Sequence, residues 1–236
     1  MRVTFLRNAT ALIATSGRLL LVDPMLRDAA TSPPIDNTPN PRPNPLVDLP
    51  RPAPEIVRGI DGCIVTHLHG DHFDDAADEL LPRDLPILTQ PESVDALRER
   101  GFTRVTDVYE GWLGLDLVLT RGQHGTGAIG EAMGAASGFV LDGVYFAGDT
   151  IWCDDAGEAI ASHRPRAVVV NGGGARFNEG DPIVMTVADV REVRAATDGV
   201  VVVDHLEAMN HCLELRPAFR GIEGVLVPDD GETLEL

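Results

Sequence analysis

The chain has 236 residues, 44% of them apolar, and sets 19 arginines and no lysine against 37 acidic residues, for a net charge of −18. That field repels polyanions, so neither nucleic acid nor an anionic membrane surface is expected as a partner. Mean hydropathy is zero and no apolar run approaches the roughly 20 residues that cross a bilayer, so one cytoplasmic, non-membrane domain over 1–236 is expected.

At the N-terminus "VTFL", "ALIAT" and "RLLLVD" read as strands, apolar and β-branched with turn signals between them. Arg7 and Asn8 interrupt the first run too early for a secretory leader. Residues 28–54 then hold nine of the seventeen prolines without helical or strand periodicity. They form an extended loop, and loops of this length inside a domain are often lids.

"CIVT" is the next strand, and it runs into "HLHGDH". His67 and His69, two apart in extended chain, can face the same way, while Asp71 and His72 follow the bend at Gly70. "FDDAADELL" is a short helix, and "PESVDALRERG" is a second, with Pro91 near its start and Gly101 after its end. "LDLVLT" leads to His124. The "GTGAIG" that follows matches G-x-G-x-x-G in form, but the glycine-broken "EAMGAASG" behind it supplies no crossover helix, so a loop is expected rather than a dinucleotide site.

The strands "GFVL" and "VYFAG" lead to Asp149, and "AVVVN" leads to the glycines 172–174, which form either a turn or a cradle of backbone amides for an oxyanion. Thr186 opens a capping box before "VREVRAA", and "VVVVD" ends beside His205. Six residues further on, His211 is either a donor to the substrate or a structural imidazole. His163 has no assigned role. Cys63, Cys153 and Cys212 lack C-x-x-C spacing and are expected as buried free thiols.

Five of the seven histidines, with Asp71 and Asp149, therefore fall at the carboxyl ends of strands, the edge where open α/β sheets bind ligands. Imidazole and carboxylate without thiolate suit a catalytic rather than a closed structural metal site. Seven ligands exceed one tetrahedral ion. They suffice for two divalent ions, zinc or alternatively manganese or iron, with a carboxylate between them.

This H-x-H-x-D-H run, followed by a separated histidine, the aspartate of "AGDT" and a last histidine, resembles the metallo-β-lactamase superfamily, and "LLLVDPML" resembles its early strand ending in Asp-Pro. Within it the chain looks most similar to metal-dependent hydrolases of the L-ascorbate-6-phosphate lactonase-like branch. The resemblance implies an αββα sandwich of two mixed sheets flanked by helices. It also implies His67, His69 and His124 on one metal, Asp71, His72 and His205 on the other, and Asp149 bridging them. Arg7-Asn8 stands where many relatives have Gly-His.

The expected function is a binuclear hydrolase in which a metal-bridging hydroxide attacks a small ester, lactone, amide or phosphodiester, with Asp71 as the catalytic carboxylate and His211 contacting the substrate. Two divalent ions, two carboxylates and a hydroxide leave the centre at +1, which favours an anionic small molecule. The alternatives are a nuclease or phosphodiesterase of the same fold, which the acidic charge opposes, and a non-catalytic metal-binding or redox-sensing protein. Homo-oligomerisation is neither required nor opposed.

Overall fold

The computed structural model describes residues 1–236. Its elements run β1 (Arg2–Arg7), β2 (Thr10–Thr15), β3 (Arg18–Val22), α1 (Ala53–Ile56), β4 (Gly62–Val65), α2 (Asp75–Leu80), β5 (Ile87–Thr89), α3 (Val94–Glu99) and β6 (Val105–Thr106) in the first half. The second half adds β7 (Leu117–Arg121), α4 (Gly127–Met133), β8 (Ser137–Leu141), β9 (Val144–Phe146), α5 (Asp154–His163), β10 (Ala167–Asn171), α6 (Val187–Ala196), β11 (Val200–Asp204), α7 (Arg216–Phe219), β12 (Val225–Leu226) and β13 (Thr233–Glu235).

These strands make two mixed sheets, in the orders β13-β1-β2-β3-β4-β5-β6 and β12-β11-β10-β9-β8-β7. Alternation along each strand then dictates the layers. Leu20, Val22, Ile64 and Leu88 of the first sheet meet Phe139, Phe146, Val169 and Val202 of the second in one shared core. Their neighbours Leu21, Cys63, Val65 and Ile87 point the other way, under Ala77 and Leu97 of α2 and α3. Val168, Val170, Val201 and Val203 likewise pack outward against Ile160 of α5 and Val190 and Val193 of α6. This is the expected αββα sandwich, and no helix in it is long and apolar enough to cross a membrane.

The first sheet carries β3, β4 and β5 as parallel neighbours and the second β9, β10 and β11. All their carboxyl ends can therefore deliver side chains to one edge. The Thr186 capping box forms as expected: its side chain accepts from Asp189 N at 3.2 Å, and Asp189 accepts from Thr186 N at 2.9 Å. "GTGAIG" differs from expectation, because Gly127–Met133 is a helix. It joins β7 to β8, which are antiparallel, so it is not the crossover of a βαβ unit and the dinucleotide reading still fails. Cys63 and Cys212 are buried thiols as expected, whereas Cys153, at the start of α5, is half-buried.

Candidate metal centre

At the shared edge the structure brings all seven expected residues together in two groups, His67, His69 and His124, and Asp71, His72, Asp149 and His205. Within each group the potential ligand atoms lie within 4.8 Å of one another. Asp149 stands between the groups. Its Oδ2 is 3.4 Å from His124 Nε2 and 3.9 Å from His67 Nε2, and its Oδ1 is 3.2 Å from His72 Nε2 and 3.6 Å from His205 Nε2. Asp71 Oδ2 lies 3.3 Å from His205 Nε2.

Local backbone explains the delivery. Gly148, at φ +66°, turns the chain between β9 and Asp149, and a Cβ there would sit 2.3 Å from Ser137 O, so only glycine passes. Asn8, Asp23 and His205 also have positive φ (55°, 42° and 59°) and are buried at the same edge. Strain in non-glycine residues gathers where surrounding structure enforces a functional geometry.

A second layer aims the imidazoles. Asp23 Oδ2 accepts from His72 Nδ1 at 2.9 Å, and both Asp23 oxygens also accept from Thr66, N at 2.7 Å and Oγ1 at 2.8 Å. His124 Nδ1 donates to Ile183 O at 2.7 Å. Fixing one ring nitrogen in this way leaves the other as a lone-pair donor. His72 Nε2 and His205 Nε2 are buried with no hydrogen-bond partner, which a bound cation would satisfy. The donor set thus fits divalent metal.

The electrostatics differ between the two groups: burial lowers His72 and His205, but the charge of Asp149 outweighs it and holds both well above the ordinary imidazole range, so a cation bound there would displace their protons. Burial, with the positive field of His72, holds His67 well below its ordinary range, and burial lowers His124 as well, which favours the neutral, ligating form. Burial pushes Asp71 and Asp149 upward, but the charge of His72 and His205 outweighs it and keeps both carboxyls well below theirs.

Two residues support the carboxylates in roles the sequence did not assign them. Asn171 Nδ2 donates to Asp149 Oδ1 at 2.6 Å. Asn8 Nδ2 donates to the Asp71 carbonyl at 3.1 Å and reaches Asp71 Oδ2 at 3.4 Å, so the departure from Gly-His supplies a clamp on Asp71. Both residues end strands at the ligand edge, and that position was the available signal. The glycines after Asn171 bend the chain at Gly173, and the amides of Gly172 and Gly174 are spent on Asp204 O and Met185 O.

The centre opens into a cavity of about 550 Å³ lined by His69, Asp71, His124, Asp149 and His211 at its base. Met25, Met209, Phe177 and Ile183 form apolar walls, and Ser32–Ile35 and Asn44–Pro45 of the proline-rich strap complete them. His211 Nδ1 is buried and unpartnered, and burial pushes this imidazole down to about 4, leaving it neutral near pH 7. His163, exposed at the end of α5, is not among the residues that line the cavity.

A family model described as the Beta-lactamase superfamily domain matches residues 18–205. The chain is 34% identical to the UPF0173 protein YddR of Bacillus subtilis, over 99% of each chain. Among solved structures, an isothiocyanate hydrolase from Delia radicum gut bacteria superposes at a TM-score of 0.93 with 33% identity, covering 100% of this chain and 99% of that one. A possible metal-dependent hydrolase from Veillonella parvula gives 0.95 at 30% identity with the same coverage.

Proposed function

Since the chain belongs to the beta-lactamase superfamily and is a metal-dependent hydrolase, we propose that it uses a two-metal centre to hydrolyse a small molecule whose electrophilic carbon bears an apolar group. The observation that carries this reading is the Asp149 carboxylate, one oxygen facing each ligand group, at 3.4 Å from His124 and 3.2 Å from His72. His67, His69 and His124 would hold one cation, and Asp71, His72 and His205 the other, with zinc assigned and manganese or iron accepted by the same donors. Divalent ions so held lower the pKa of water from about 15.7 to about 7 and polarise the electrophile, giving hydrolysis near neutral pH without a covalent enzyme intermediate.

The chain's own groups supply the rest. Asp71, clamped by Asn8, orients the attacking water and accepts its proton. His211 faces the cavity uncharged and donates a hydrogen bond to the leaving atom. Met25, Phe177 and Met209 exclude water around the substrate's side group.

The isothiocyanate hydrolase matched over the full chain supports an isothiocyanate as substrate. Water would add to the central carbon, the C–N bond would break, and amine and carbonyl sulfide would leave. An uncharged ester or lactone presents a comparable carbon to the same walls. Turnover assays on a panel of isothiocyanates, lactones, esters and phosphodiesters, with and without chelator, test the proposal. Chelator-sensitive hydrolysis of an apolar heterocumulene or acyl compound is expected, and turnover confined to phosphodiesters would overturn it.

A further inference from the structure

The strap over the cavity is poor in its own hydrogen bonds, because nine prolines between residues 28 and 54 remove nine amide donors. Its internal backbone bonds join Ser32 with Asn44 in both directions, at 2.8 and 2.9 Å, and Ala30 N with Pro45 O, while inside that loop only the short bonds of Arg42 N to Asn40 O and of Thr38 Oγ1 to Ile35 O are local. Most of what holds the stretch between them comes from one residue outside it. Asn210, fully buried, accepts through Oδ1 from Ile35 N at 3.0 Å and Asn44 Nδ2 at 2.8 Å. Its Nδ2 faces Ile35 O, Thr38 Oγ1 and Asn40 O at 3.1, 2.6 and 2.9 Å, and its backbone N donates to Asn44 Oδ1 at 2.9 Å. Both lone pairs and both amide protons are used. The residues on either side, Met209 and His211, line the cavity.

We propose that Asn210 is a positioning residue, a latch that fixes strap residues 32–45 against the segment carrying Met209 and His211, so that the substrate's side group meets a wall built in advance. The inference rests on the proposed function only in taking this cavity as the substrate site. Outer ties come from Leu46 N to Ala208 O at 2.7 Å, from Asn178 N and Nδ2 to Asn37 O and Oδ1 at 2.8 and 3.1 Å, and from Arg7 to Val47 O and Arg27 to Ser32 Oγ, but none of these fills the inside of the strap. A strap fixed in this way does not have to be ordered by each arriving substrate, and its ordering cost does not appear in KM.

Asn210→Asp keeps the shape and turns an oxygen toward the carbonyls of Ile35 and Asn40, an arrangement with no donor between them. Amide hydrogen exchange at Ile35, Asn44 and Leu46, metal content, and kcat and KM across isothiocyanates of increasing side-group size should be measured together. The expected result is exchange faster by about tenfold or more in the strap, unchanged exchange in β10, and unchanged metal content. KM should rise more than kcat falls, most for the largest side groups. Asn44→Ala, which removes the strap-side amide that donates to Asn210 Oδ1 and accepts from Asn210 N, should give a smaller shift in the same direction, and it carries the test if the Asn210→Asp variant does not fold. Unchanged strap exchange, or faster exchange with KM unaltered for every side group, would overturn the latch. If no isothiocyanate is turned over, the substrate reading fails, and exchange alone decides whether Asn210 holds the strap.

Discussion

Asp23 shows how much of the centre depends on residues that touch no metal. Its carboxylate holds His72 Nδ1 and two Thr66 donors, so removing it frees the ring to rotate and to change tautomer. Supporting groups of this kind typically contribute about 10- to 100-fold in metal affinity or activity. Asp23→Ala should lower metal affinity by that order, read by titration with a competing chelator, and unchanged affinity would make Asp23 a packing group. His205 and His211 lie close in sequence but are placed differently: Nε2 of His205 faces Asp71 and Asp149, while His211 lines the cavity. His205→Ala should lose metal and nearly all turnover. His211→Ala should keep its metal and lose about 10²- to 10⁴-fold in kcat/KM. Metal loss from the His211 variant with none from the His205 variant would reverse the two roles.

Elements rather than side chains decide where those residues land. Gly148→Ala places a Cβ 2.3 Å from a backbone carbonyl that cannot withdraw, at a positive φ. We expect a loss of about 1–3 kcal/mol in unfolding stability together with reduced metal content, since Asp149 is the next residue. Denaturant unfolding and elemental analysis check both, and wild-type values would show that the turn adapts. The same local logic explains what the sequence made legible. Runs such as "RLLLVD" and "AVVVN" are long enough to show burial on both faces and became β3 and β10. The strands β5, β6, β12 and β13 have only two or three residues each, too few for a period to register, and pairing with neighbours defines them. Helix α4 is not legible as a helix, because the glycines that break "EAMGAASG" point to a loop, and Gly127 and Gly130 within it add poor helix propensity. Helix α5 buries only Ala156, Ala159 and Ile160, a stripe whose small side chains give a weak periodic signal. All seven candidate ligands were legible, because a clustered motif and strand ends mark them. Their supports Asn171 and Asn210 were not, because an asparagine in a loop is ordinary until the fold shows what its amide faces.

At the scale of the whole chain, two sheets sharing one core converge their strand ends on a single edge, and that edge gathers seven candidate ligands from four separate stretches. The surrounding charge of −18 concentrates cations and repels polyanions, which suits a metal centre serving small molecules. Asp149 is proposed to bridge two cations. Anomalous diffraction from crystals of chain purified without chelator tests it most directly. Two divalent ions about 3.5 to 4 Å apart are expected, with one oxygen of Asp149 directed to each. A single fully occupied ion with Asp149 turned to it alone, in crystals of an enzyme that retains full turnover, would contradict it.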